Sequence, residues 1–451
     1  MPLNDDESNL FKKLQSLHSR AQREIGYYND VYEGQEKLKQ LGLSIPPELE
    51  HFAVWLAWPA TAVDSIEERL NVTGFRMPGM TADESLWGVW TYNNMDERQS
   101  FAHIDALALG RSYLCVGTNE EDSDYPLITV ESPQEMTAIR DPRTHHVTGA
   151  VRQYVGDDGA RRATLYLPNV TYWLRLDKSK WVDEYDPDVH NLGTVPVVPM
   201  VNRSRATRRR RAVLEGVSEM ARVIPVAESA SRAVTNLQLA QESIAAPTRG
   251  VLGATKSDFI DEAGNVLPAW ETYYGGVWAL ANKEAKTFQF DAADLGNWDK
   301  AVTMYARQAS GLTGLPIDHF GVNTNNPPSA EGQRAGDTRL IKRTERKQTP
   351  FGHSYESMQR LVMRFRDGEW DPDARRMETI WQDAGTPTIG MVTDAIVKRY
   401  QAGLTDWETA QERLGETPEA IRKMKQRRDA DANLGVNFGD TAASGSFAAE
   451  E

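Results

Sequence analysis

The sequence is poor in cysteine: its 451 residues contain a single one, Cys115. One thiol excludes an internal disulfide framework and a zinc site built on several thiolates. Cys115 lies within the apolar run Arg111–Gly117, a pattern that predicts a buried strand. Because reactive thiols lie in exposed, electropositive surroundings, we expect Cys115 to be a buried structural thiol.

Long apolar runs are also missing. No window approaches the ~18 consecutive apolar residues of a membrane-spanning helix. The N-terminal segment Met1–Glu7 is acidic, and it lacks the basic stretch and the apolar core of a secretory signal. Together these two absences favour a cytoplasmic protein.

Positive charge is scarce, since the formal net charge is −14. This balance argues against a protein that grips nucleic acid, because grip comes from neutralising phosphates. It does not argue against a protein that DNA slides past, since an acidic wall repels the DNA backbone. One basic run, Arg203–Arg211, interrupts the pattern with four consecutive arginines from Arg208. It is either a phosphate-contacting patch or a solvated loop before a helix.

Catalytic signatures are absent as well. The segment Gly250–Ser257 resembles a phosphate-binding loop, but Thr255 stands where that loop needs glycine before Lys256. His145 and the adjacent His146 point in different directions on a strand or turn, so a surface loop is favoured over a metal site. We therefore expect no enzyme, no metal site and no cofactor.

The sequence does contain an ordered series of helical and β patterns, which together predict an α+β protein. The first helix has Ser8 as a candidate cap, and a hairpin is predicted at Asp157–Gly159. Pro225 should kink or restart one long helix, and Pro350 should bend another. The predicted segments, in chain order, are a second helix at 48–70, β structure at 113–201, and helices at 218–245, 297–312 and 330–366. Thr417 is expected to cap a last helix.

Several strings within this order resemble the portal proteins of long-tailed phages, particularly those that infect actinobacteria. None of them is a catalytic signature, so the resemblance depends on their number and order. The strings are Tyr27–Gly34, Tyr166–Asn169, Gly193–Arg203, Ala245–Gly253, Leu312–Pro316 and Pro327–Gly332.

The resemblance implies a portal fold with long kinked helices that forms a ring, usually dodecameric, at one vertex of the capsid. Such a ring is a passive channel for DNA packaging and ejection, and it connects head and tail. The implied regions are a wing at 1–216, a first stem helix at 217–250, a clip at 251–293, a second stem helix at 294–316, a tunnel loop and bent wing helix at 317–384, a crown at 385–432 and a disordered tail at 433–451.

The resemblance also implies site residues and partners. A polar, uncharged loop would face the DNA through Asn323, Thr324, Asn325 and Asn326. The clip aromatics would form a partner surface, an intersubunit surface or a small local core; they are Trp270, Tyr273, Tyr274 and Trp278. Implied partners are further copies of the chain, a terminase motor, adaptor or head-completion proteins, the major capsid protein, a scaffold, and double-stranded DNA without sequence specificity.

Two alternatives remain at this point. One is another structural protein of the phage head, either a capsid or a head-shell protein. The other is a head-associated nuclease or protease, which needs clustered carboxylates or a nucleophile with a base. Ring symmetry would distinguish the portal protein from both. The expected location is the virion, after assembly in the host cytoplasm.

Overall fold

The computed structural model describes residues 3–35, 53–79, 82–204, 215–244, 249–252, 286–289, 296–322, 330–385 and 389–433. Contacts divide them into two compact units. The first contains the described residues of Met1–Glu36, Ala57–Ile224 and Ser310–Glu451, and the second contains those of Lys37–Leu56 and Pro225–Ala309. None of the described helices is both long enough and apolar enough to cross a membrane.

The first unit begins with helix α1 (Asp5–Tyr32). Its cap is Asn4, whose side chain accepts a hydrogen bond from the Glu7 backbone, while the Glu7 carboxylate accepts one from the Asn4 backbone. This reciprocal pair satisfies two backbone donors at once. The prediction of Ser8 as the cap was therefore wrong, and Ser8 lies inside the helix.

The second predicted helix is shorter than expected. Helix α2 spans Trp58–Glu67, whereas residues 53–57 are not helical. Pro59 explains the late start, because proline lacks the N–H group that a helix interior needs and is favoured in the first turn. The part of the prediction at 48–52 lies outside the described residues.

Three elements follow that periodicity did not predict: strand β1 (Val72–Arg76) and helices α3 (Glu84–Tyr92) and α4 (Met95–Leu109). The predicted β region is confirmed as eight strands. They are β2 (Arg111–Gly117), β3 (Leu127–Glu131), β4 (Met136–Arg140), β5 (Val147–Val155), β6 (Arg161–Tyr166), β7 (Thr171–Asp177), β8 (Lys180–Asp183) and β9 (Val197–Val201).

These strands form two antiparallel sheets, in the orders β3-β2-β9 and β4-β5-β6-β7-β8. The predicted hairpin is confirmed, since β5 pairs with β6 in a register that places Val151 opposite Leu165. Cys115 lies in β2 and is 3% exposed, as expected of a structural thiol. The proline-containing strand β9 is an edge strand, a position in which proline is tolerated.

Helix α1 packs against the five-stranded sheet through apolar side chains. Phe11 meets Trp181 edge-to-face, with ring centroids 5.4 Å apart. Gly149 permits the close approach, since a Cβ atom there would lie 2.9 Å from the Leu10 side chain. The buried members of this apolar cluster are Phe11, Leu14, Val151, Ala163, Leu165, Leu167 and Leu174.

The remainder of the first unit is mostly helical. The long helix α7 (Ala330–Asp367) includes Pro350 in its interior and confirms the prediction for 330–366. Strand β12 (Glu378–Trp381) pairs with β1. Helices α8 (Ile389–Gln401), α9 (Trp407–Arg413) and α10 (Pro418–Asn433) follow. Thr417 caps α10 as predicted, because its hydroxyl accepts the Ala420 N–H.

The second unit contains most of helices α5 (Ile224–Ile244) and α6 (Gly296–Thr313), together with the antiparallel pair β10 (Arg249–Leu252) and β11 (Lys286–Gln289). The helix predicted at 218–245 is not continuous. A 3₁₀ turn at Met220–Arg222 precedes α5, and Pro225 lies in the first turn of α5. Of the two expectations for Pro225, the restart is therefore the one observed.

Candidate functional site

The site residues predicted from the sequence all lie outside the described residues. This holds for the loop residues Asn323, Thr324, Asn325 and Asn326, for the clip aromatics Trp270, Tyr273, Tyr274 and Trp278, and for the run Arg208–Arg211. Their roles therefore stay predictions. The described residues nevertheless show how the chain is held on both sides of the predicted tunnel loop.

Before the loop, a 3₁₀ turn at Ile317–Phe320 anchors the chain in the first unit. Phe320 is buried and meets Trp58 edge-to-face, with ring centroids 5.5 Å apart. His319 Nδ1 lies 2.9 Å from Ser65 Oγ. After the loop, helix α7 begins at Ala330. The predicted loop is therefore flanked on one side by a fixed turn and on the other by the longest described helix of the first unit.

A buried charge cluster connects the middle of this long helix to the segment that precedes α5. We call it the Glu219 cluster; its members are Asn202, Arg203, Glu219, Arg343 and Lys347. The Glu219 side chain is fully buried, and its carboxylate lies 2.9 Å from Arg203, 2.6 Å from Arg343 and 2.5 Å from Lys347. Asn202 donates to the same carboxylate at 3.1 Å and accepts from Lys347.

The backbone reinforces this arrangement. Asn202 donates through its side chain to the Val217 carbonyl at 2.7 Å, and Val217 N–H donates to the Asn202 carbonyl at 3.0 Å. Glu219 N–H donates to the Leu107 carbonyl at 2.8 Å. The cluster thus joins the end of β9, the segment before α5, helix α4 and helix α7. Its position indicates that it fixes where α5 starts.

Electrostatics in the cluster favour an ionised carboxylate. Burial by itself would raise the pKa of Glu219, but its three cationic neighbours outweigh burial and hold that pKa below its ordinary value. Burial lowers the pKa of Lys347, against the opposing attraction of Glu219. One carboxylate therefore faces three cationic side chains, so the cluster carries a formal excess of positive charge.

The face of α5 that bears alanine in the sequence also bears two buried hydroxyls, Ser231 and Thr235. Ser231 Oγ accepts from the Leu56 backbone at 3.0 Å, and Thr235 Oγ1 accepts from the Val54 backbone at 3.0 Å. Two helical residues that are four positions apart are separated by about 6 Å along the helix axis. Two residues of an extended chain that are two positions apart, such as Val54 and Leu56, are separated by nearly the same distance. This match lets an extended segment lie along α5.

A cavity of about 840 Å³ lies in the first unit between the β1–β12 pair and helices α7, α8 and α9. Ile380, Ile396 and Leu414 contribute apolar surface to its lining. Arg76 in its wall is paired with Glu378 and with Glu412, at 2.8 and 3.5 Å.

Within the described ranges, no three His, Cys, Asp or Glu side chains are grouped so that they could hold a metal ion. Burial raises the pKa of Cys115 well above its ordinary value, and burial lowers the pKa of His103 to about 3. His103 instead stacks on Phe351 and accepts or donates a 2.9 Å hydrogen bond with the Tyr355 hydroxyl. These groups serve the core.

Sequence reasoning missed the Glu219 cluster. Its members come from three separate parts of the chain, and Glu219 and Arg343 are 124 residues apart. One signal was available: Arg339, Arg343 and Lys347 follow at intervals of four and so share one face of a helix. Like charges at this spacing destabilise an isolated helix, so the pattern indicates a counter-charge elsewhere.

The described residues thus define a mixed α+β protein in which charged and aromatic side chains mainly fix the positions of long helices. The chain belongs to the phage portal protein family: the family description "Phage portal protein, SPP1 Gp6-like" matches residues 12–433. This confirms the portal protein interpretation over a capsid or head-shell protein and over a head-associated nuclease or protease.

Two curated portal proteins are similar along most of the chain. That of Mycobacterium phage D29 is 34% identical over 423 residues, which cover 90% of this chain and 85% of the relative. That of Mycobacterium phage L5 is 32% identical over 450 residues, covering 96% and 91%. The resemblance to portal proteins of actinobacterial phages is thereby confirmed.

A solved structure shows a more distant likeness. A chain from the neck of an empty gene transfer agent particle aligns with 84% of this chain and 95% of its own length, at 13% identity and a TM-score of 0.47. At this distance the likeness has no bearing on function.

Proposed function

We propose that this chain assembles into a closed ring at one vertex of the phage capsid and serves there as a passive channel for double-stranded DNA. Membership of the portal family across residues 12–433 carries this proposal. The proposed role needs no catalytic centre in the chain. A separate terminase ATPase would move the DNA, and adaptor proteins would connect the ring to the tail.

Different parts of the chain would have different roles within such a ring. The two long helices of the second unit, α5 and α6, would be the stem helices, and the segment between them would be the clip. The Glu219 cluster would fix the segment that leads into the first stem helix. The wing would carry contacts to the capsid, and residues 385–432 would form the crown.

The contact between the ring and DNA would be weak. The net charge of −14 disfavours tight binding, because binding to duplex DNA comes mainly from neutralised phosphates. Asn323, Asn325 and Asn326 are polar and uncharged, so they can donate hydrogen bonds to phosphates without a salt-dependent grip. DNA would be retained by geometry and by this loop.

The loop assignment is tested by the triple variant with Asn323, Asn325 and Asn326 changed to alanine. Rings should form as in the wild type, while packaging or DNA retention should fall, measured as nuclease-protected genome length per particle. The matched control is Asn71→Ala, whose exposed side chain lies in the first unit. Wild-type packaging and retention in the triple variant would refute the assignment, whereas failure to form rings in the wild type would refute the proposed function itself.

A further inference from the structure

The Glu219 cluster extends into a cationic surface. We define the cationic face as Arg203, Arg339 and Arg343. Arg339 is exposed, and the side chains of Arg203 and Arg343 are 24% and 19% exposed. Arg339 donates to the Gly311 carbonyl and forms no ion pair with another described residue, so Glu219 is the carboxylate that the described residues provide for this face. Positive charge on the face is therefore in excess.

An acidic surface in the same unit has the opposite imbalance. We define the acidic face as Glu33, Asp64, Glu67 and Glu68, from the end of α1 and from α2. Asp64 accepts a hydrogen bond from the Tyr32 hydroxyl at 2.9 Å. Burial raises the pKa of Asp64 and of Glu67, and neighbouring carboxylates raise both further. No ion pair joins a described lysine or arginine to these four carboxylates.

The two faces do not neutralise each other within one chain. On α2, Asp64 contacts α1 and Glu67 contacts Ser100 of α4. Ser65 and Arg69 instead contact His319 and Asp337, on the side of the 3₁₀ turn and α7. Because consecutive helical residues are about 100° apart, the acidic face and the side toward α7 are different sides of α2.

We infer that the cationic face of one copy of this chain binds the acidic face of the neighbouring copy. A closed ring of identical subunits needs a head-to-tail contact between two different surfaces, and these two surfaces are complementary in charge. This inference rests on the ring assembly proposed above.

The contact predicts a cross-link between two separate chains. The single variants Glu68→Cys and Arg203→Cys are co-expressed with different affinity tags, and the purified assembly is treated with a short bismaleimide. Glu68 is exposed, and without Arg203 the Glu219 carboxylate keeps two cations, so both variants should fold. The buried Cys115 should not react. The expected product is a heterodimer that carries both tags.

The matched control replaces Glu68→Cys by Asp177→Cys, an exposed position on β7, and should give no heterodimer with Arg203→Cys. Rings seen by negative-stain microscopy that give no heterodimer from the Glu68 and Arg203 variants would overturn the inference and leave the ring proposal standing. If the protein forms no rings, the proposed function fails and this inference fails with it. A heterodimer with the control would also overturn it, since the cross-link would then be unspecific.

A second measurement separates charge from mere proximity. The double variant Glu67→Gln/Glu68→Gln should raise the subunit concentration at which half the protein is in rings by on the order of tenfold at low salt. This difference should shrink in high salt, because exposed charges are screened. An unchanged midpoint at low salt would contradict the inference.

Discussion

Two regions of the first unit are stabilised in different ways. Where α1 lies on the five-stranded sheet, side chains such as Leu14 and Leu165 are fully buried in an apolar cluster. Around Glu219, by contrast, buried charges and hydrogen bonds connect β9, α4 and α7. The apolar region should respond to changes in side-chain volume. In the charged region, stability should depend on the balance between the cationic side chains and the single carboxylate that they face.

Asp105 shows what a carboxylate does in the same unit without such cations. Burial raises its pKa to about 6, and a hydrogen bond from Ser132 only partly opposes this. The pKa of Glu219 is lowered although its side chain is fully buried. The comparison shows that burial alone does not decide the charge state, since cationic partners reverse its effect.

The largest effect should follow from Glu219→Gln. Removing the carboxylate leaves Arg203, Arg343 and Lys347 close together without a counter-charge, which should cost about 4 kcal/mol of unfolding free energy. The measurement is urea denaturation of the purified chain. The matched control is Glu215→Gln, because Glu215 pairs with Arg140 at a more exposed site and should cost at most about 1 kcal/mol. Equal effects of both variants would contradict the role given to the cluster.

Leu14→Ala should have a somewhat smaller effect. It removes a fully buried side chain from the apolar cluster and should cost about 3 kcal/mol, with little dependence on salt. Leu404→Ala is the control, since Leu404 is 73% exposed and should change stability by less than about 0.5 kcal/mol. A strongly salt-dependent loss at Leu14 would remove the distinction between the two regions.

The smallest of these effects should be a gain. Burial raises the pKa of Asp105 from its ordinary value of 3.8 to about 6. The protonated carboxyl group therefore contributes stability that is fully present below pH 3.8 and is lost as the pH rises through about 6. Asp105→Asn should therefore stabilise the protein by about 2 kcal/mol at pH 8 and by almost nothing at pH 4. Thermal unfolding at both values tests this, and an equal shift at both would refute the burial argument.

Local patterns in the sequence predicted the parts of the fold that depend on neighbouring residues. Helical spacing predicted α1 and α7, the Asp157–Gly159 turn predicted the β5–β6 hairpin, and Thr417 was correctly expected to cap α10. The predicted helix at 48–70 includes residues 53–57, which are not helical, because Pro59 belongs in a first helical turn. Prolines and caps decide helix ends within one or two residues.

The Glu219 cluster could not be predicted from such patterns. Its polar atoms meet only after β9 and α7 are brought together, and a buried glutamate in sequence looks like a solvated one. The tunnel-loop and clip residues are a different case. They came from the family resemblance alone, and they stay predictions because they lie outside the described residues.

This portal family member should form a ring through which DNA passes. Negative-stain electron microscopy of the purified protein tests it most directly. The expected result is closed rings with an axial channel wide enough for duplex DNA. Protein that stays monomeric at a concentration at which portal rings should be complete would contradict ring formation. Icosahedral shells would contradict it as well.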